Sequence, residues 1–117
     1  MLVASHNVIS NGTPWNVGTG YYSGKLLSVT AQQINPTGLA FSSDGTKAYI
    51  VGTTNDIIHQ YTLSTAWDIS TGSYASKSLS FAAQDSGPFG IAFSSDGAKA
   101  YILGSANDTI YQYTLVD

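Results

Sequence analysis

The sequence predicts an all-β fold made of tandem, four-stranded units. Three observations carry that expectation. A stretch from Pro36, PTGLAFSSDGTKAYIVGTTNDIIHQYTL, recurs from Pro88 as PFGIAFSSDGAKAYILGSANDTIYQYTL, a gapless offset of 52 residues. Upstream, WNVGTGYYSGKLLSVTAQQ from Trp15 aligns with WDISTGSYASKSLSFAAQD from Trp67 at the same offset. Each copy holds short β-type runs between turn signals, and no useful stretch has helical periodicity. Four short antiparallel strands in a repeat of about 40–50 residues is the pattern of a β-propeller blade.

The elements follow in chain order. Residues 1–14 form an N-terminal arm that matches the repeat poorly, and the two repeats cover 15–66 and 67–117. A first D-type strand is expected over about Tyr22–Ala31. Strand A is expected over Gly38–Ser43 and strand B over Lys47–Gly52, joined at Asp44-Gly45, where glycine accepts the positive φ of a tight turn. Strand B has Ala48 and Ile50 on one face and Tyr49 and Val51 on the other, so both faces expect burial. Strand C runs over about Ile57–Leu63 after a Thr-Thr-Asn-Asp turn. Strand D, about Ser76–Ala83, alternates Leu79 and Phe81 with Ser78 and Ser80, as a strand with one wetter face does. A second A-B-C set is expected over Gly90–Val116.

Composition narrows the function classes. Charged residues are 9% of the chain, against about 25% in typical domains. Hydrophobic residues reach 43%, which argues against disorder. The net charge is −3, and Lys25, Lys47, Lys77 and Lys99 are the only basic residues besides two histidines. They assemble no basic face, so a nucleic-acid partner is not expected. Without cysteine there is neither a disulfide framework nor a thiolate metal site. No apolar run approaches the roughly 20 residues of a membrane-spanning helix, and residues 1–14 lack the pattern of a signal peptide. Few charges among many Ser, Thr and Tyr suit an extracellular or virion surface.

The pattern P-x-G-[LI]-A-F-S-S-D-G-x-K-A-Y-[IV], then N-D and Q-Y-T-L, resembles the blades of the YVTN/NHL-like propeller superfamily. With Y-T-L-S-T-A-W-D-I-S-T it resembles tandem propeller repeats of bacterial and phage proteins. The resemblance covers about Trp15–Asp117 and implies that strand A lines a central channel and strand D lies outermost. It implies little about function, because propellers host many.

The strand inventory, in order, is D, A-B-C-D, A-B-C. Alone, such a chain exposes two apolar faces and an open sheet edge, which recruit partners. The expectation is therefore a homo-oligomer in which the first strand of one copy completes the last unit of the next. Propellers have 4–8 blades, and a six-bladed trimer is the favoured closure. The alternative is a segment of a longer propeller.

Site candidates each have a bland reading. Asp44 and Asp96 lie in Ser-Ser-Asp-Gly turns, where Asp bonds nearby backbone amides; no calcium-loop spacing surrounds them. Asn55-Asp56 and Asn107-Asp108 either form the B–C turns or meet a polar ligand at one rim. Trp15 and Trp67, with Tyr22 and Tyr74 seven residues on, are either sugar-stacking platforms or plugs of the outer sheet edge. His59 is Tyr111 in the second repeat, and His6 lies in the arm; no three or four metal ligands converge in sequence. The four lysines read as solvated strand ends. No nucleophile motif such as G-x-S-x-G occurs, and no cofactor is expected. The leading expectation is a non-enzymatic surface-binding module, lectin-like and presented to glycans or a protein partner. Its alternatives are a structural component of a virion, fibre or extracellular assembly, and an engineered or excised propeller fragment that self-assembles.

Overall fold

The computed structural model describes residues 12–115. Most of the expected N-terminal arm, His6 included, lies outside them, as does Val116 at the expected end of the last strand.

Alternating apolar runs and Asp-Gly turns fold into two antiparallel sheets. Sheet 1 contains β1 (Pro36–Phe41), β2 (Lys47–Gly52), β3 (Ile57–Leu63) and β4 (Gly72–Ser80), in spatial order β1-β2-β3-β4. Sheet 2 contains β5 (Pro88–Phe93), β6 (Lys99–Gly104) and β7 (Thr109–Thr114), in order β5-β6-β7. Two short 3₁₀ turns, Val17–Thr19 and Ile69–Thr71, complete the described elements.

The registers repeat. Leu39 faces Ile50 and Ile91 faces Ile102; Ala48 faces Tyr61 and Ala100 faces Tyr113. The sheets stack through Val51, Ile58 and Phe81 of the first and Ile102 of the second, with Tyr49, Ile91 and Tyr113 around them. Tyr49 and Phe93 meet across the junction with ring centroids 4.3 Å apart. At the first strands the sheets come close: a Cβ built on Gly38 would stand 3.1 Å from the Gly90 Cα. The Thr37 hydroxyl donates to the Pro88 carbonyl at 2.7 Å. The opposite face of sheet 1 buries Ala48, Ile50, Tyr61 and Leu63 beneath Leu27, Val29, Phe41 and Ile69. Both faces of β2 are thus covered.

Three expectations need correction. The described residues hold one four-stranded and one three-stranded sheet, the A-B-C-D and A-B-C of the strand inventory, and not two complete four-stranded units. Among the described residues, the D-type strand expected over Tyr22–Ala31 makes no ladder, because no described strand pairs with it. Strand boundaries also shift. β1 starts at Pro36, paired with Gly52 across a bulge, and leaves Ser42-Ser43 to the turn. β4 starts at Gly72, where the 3₁₀ turn hands the chain directly to the ladder, and ends at Ser80.

Candidate functional site

The A–B turns are built by their aspartates. Asp44 Oδ1 accepts from the Ser42 hydroxyl, the Thr46 amide and the Thr46 hydroxyl at 2.7–3.0 Å. These bonds, led by the Thr46 hydroxyl, lower the Asp44 pKa to about 2. Asp96 Oδ1 accepts from the Ala98 amide and the Ser94 hydroxyl. Those bonds lower its pKa too, but alanine supplies no hydroxyl there. Gly45 and Gly97 both sit at φ +74, a left-handed conformation that glycine adopts without strain.

The two turns lie side by side where the sheets stack. Between them opens a cleft of about 400 Å³, lined by Ser42, Ser43, Asp44 and Lys47 on one wall and Ser94, Ser95 and Asp96 on the other. Phe41, Tyr49 and Phe93 form its floor. All hydrogen bonds that the two carboxylates accept from described side chains fall on Oδ1. Both carboxylates remain ionised near neutral pH, so the cleft offers fixed acceptors, serine hydroxyls and aromatic surface.

The residues singled out from sequence do not form one site. Trp67 lies at the rim of the A–B turns: its amide donates to the Gly45 carbonyl at 2.9 Å, and its ring lies where a Gly45 side chain would be. It packs on Phe41 at 5.6 Å. The bulky residue holds φ 64, and Trp15 holds φ 67, a strained value for such side chains. Trp15 is fully exposed. Asn55-Asp56 and Asn107-Asp108 lie at the other end of the strands, about 17 Å away for a six-residue strand.

There the asparagines are committed to structure. Asn55 accepts from Gln33 Nε2 at 2.9 Å and donates to the Gln32 carbonyl at 3.1 Å. Asn107 donates to the Gln84 carbonyl at 3.0 Å and to the Tyr111 hydroxyl at 3.1 Å. Asp56 and Asp108 hold φ 56 and 50, as turn residues. Tyr74 packs tilted against Tyr61 at 5.5 Å and edge-on against His59 at 5.7 Å; Tyr22 is exposed. Sequence reasoning missed the clamp beneath these turns. Buried Gln33 accepts from the Asn35 and Thr54 amides, and buried Asp85 from those of Gly87, Ala106 and Asn107. Burial raises the Asp85 pKa, but the hydrogen bonds from the three amides and the Tyr111 hydroxyl outweigh it and the net shift is downward. The available signal was the aligned Ala-Gln-Gln and Ala-Gln-Asp. The described residues include no cluster of three or more His, Asp or Glu suited to a metal ion. No described helix is long and apolar enough to cross a membrane.

No protein-family model matches the chain, and no curated protein matches it. Among solved structures it is similar to a 6-phosphogluconolactonase-like chain of Bacteroides uniformis, with TM-score 0.55 and 17% identity. The match covers 83% of this chain and 28% of that one, so the chain spans little more than a quarter of its length. At that identity the likeness concerns the fold alone.

Proposed function

We propose that the protein is a non-enzymatic β-propeller module of the YVTN/NHL-like kind that self-assembles into a ring. Its role is multivalent binding of polyhydroxylated ligands such as glycans, outside the cell or on a virion surface. The observation that carries this reading is the rim cleft between the Asp44 and Asp96 turns. Its serines and carboxylates come from equivalent positions of successive repeats, so every blade junction in a ring generates a similar cleft. Acceptors, donors and an aromatic floor suit the hydroxyls and apolar faces of sugars. Weak single sites gain avidity by repetition. The low carboxylate pKa values favour hydrogen-bond acceptance and disfavour proton donation near pH 7.

Light scattering should give about three times the 12.3 kDa chain mass. A glycan array with wild type and the Ser43→Ala/Ser95→Ala variant tests the cleft. Those hydroxyls hold no hydrogen bond within the described turns, so the variant should keep its fold. It should lose about tenfold or more in affinity, as two hydrogen bonds of about 1 kcal/mol predict. A wild-type ring that binds no glycan would reject the cleft assignment. Recovery instead as a stoichiometric part of a particle would favour the structural reading, for which the apolar end faces also speak.

A further inference from the structure

We propose that the cleft between the Asp44 and Asp96 turns selects sugars that carry an unsubstituted amine, holding the ammonium against the two carboxylates above the Tyr49–Phe93 floor. This rests on the glycan reading above and names the ligand class within it.

Two negative charges line the cleft. The Ser42 hydroxyl and the Thr46 amide and hydroxyl all donate to Asp44 Oδ1, and the Ser94 hydroxyl and Ala98 amide to Asp96 Oδ1. Oδ2 of each carboxylate remains for a ligand. Neither charge is neutralised nearby. Among the described residues the ion pair is Lys25 with Asp68 at 2.8 Å, and neither lines the cleft. Lys47 is on the Asp44 wall, but it acts on Asp44 more weakly than the Thr46 and Ser42 hydrogen bonds do. Lys99 likewise acts on Asp96 more weakly than the Ala98 and Ser94 hydrogen bonds do. The whole chain carries −3, so no wider positive field opposes a cation.

The floor favours the same charge. Tyr49 and Phe93 meet with ring centroids 4.3 Å apart, and the faces of aromatic rings attract cations. Burial, and then the Asp44 charge, push the Tyr49 phenol up, so it stays neutral beside the carboxylate. A charge-assisted hydrogen bond is about twice as strong as a neutral one, so an amine gains more here than a hydroxyl does. A metal ion does not fit. Calcium takes about 6–8 oxygen ligands, and the described residues hold no cluster of three or more acidic or histidine side chains suited to a metal. A lysine side chain fits less well than an amino sugar. Its apolar stem would leave the Ser43 and Ser95 hydroxyls, one on each wall, without partners. An ammonium on a sugar ring brings neighbouring hydroxyls with it.

Calorimetric titration with a short β-1,4-linked glucosamine oligomer and with its fully N-acetylated counterpart separates the amine from the hydroxyls. At about pH 6 an aliphatic amine carries its proton. Wild type should bind the amine form at least about tenfold more tightly. That ratio should shrink severalfold from about 0.01 to 1 M salt, as the screening length falls from about 30 to about 3 Å. Asp44→Asn/Asp96→Asn keeps an oxygen acceptor in each turn and removes both charges, so its ratio should fall to about one. Ser43→Ala/Ser95→Ala should weaken both ligands together and keep the ratio. Should circular dichroism show the asparagine variant unfolded, the salt series on wild type decides. Equal binding of the two oligomers overturns the amine preference and leaves the glycan reading standing. Equal binding of a lysine oligomer of the same charge overturns it too, because charge alone would then be read. A wild type that binds neither sugar overturns both readings.

Discussion

His59 occupies the place that Tyr111 holds in the second sheet. Tyr111 reaches the Asn107 amide. The shorter imidazole does not reach so far: its Nε2 is buried without a partner among the described residues, and Nδ1 stands 3.4 Å from the Tyr74 hydroxyl. Burial lowers its pKa below the ordinary 6.5. The unfolded chain therefore takes up a proton below about pH 6.5 that the folded chain refuses, and stability falls as pH drops toward the folded value. Asp44, Asp68, Asp85 and Asp96 also have lowered pKa values. Their contribution is present above 3.8 and is lost only as pH falls below it. Two acid windows are expected in urea midpoints measured from pH 7 to 3. His59→Tyr should abolish the decline that sets in below about pH 6.5 and leave the one that sets in below 3.8. An unchanged upper window would show that His59 is not its source.

At the scale of the element, β4 shows what the sequence made legible and what it concealed. Strands β2 and β3 match their expected bounds because their apolar residues are uninterrupted and Asp-Gly fixes one end. The expected start of β4 missed by four residues, because Gly-Ser-Tyr-Ala has no alternation on either side of a bulge. The Gln33 and Asp85 clamps were hidden because polar residues in a connection ordinarily read as solvated. Trp67 was recognised, but its role depends on a positive φ that sequence does not reveal. The bulge carries its own prediction. Ser76 adopts φ 58, which costs an L-residue about 1–2 kcal/mol, whereas Gly24 fills the equivalent position of the other repeat freely. Ser76→Gly should stabilise the protein by about 0.5–1 kcal/mol after the added chain entropy of glycine. Chemical denaturation would read it; a loss of stability would mean that the Ser76 side chain matters more than its backbone strain.

For the whole molecule, the 52-residue offset links fold and candidate site. It places two Ser-Ser-Asp-Gly turns side by side to form the cleft, and it leaves at each end of the stack the surface that the middle buries. What no single-chain pattern encodes is the angle between sheets, which decides how many blades close a ring. If folding and assembly are linked as proposed, stability depends on concentration, because mass action stabilises any state that binds its partner. For a trimer, tenfold dilution removes about 0.9 kcal/mol per chain, or about 3–5 °C in Tm for a domain of this size. Wild type diluted from 100 to 1 μM (about the range of calorimetry and fluorescence) should lose roughly twice that. Ile110→Lys, which puts a charge on the exposed apolar face of sheet 2, should melt at a temperature nearly independent of dilution. A wild-type Tm that does not move would mean that the apolar ends of the stack are stable in water without a neighbouring copy.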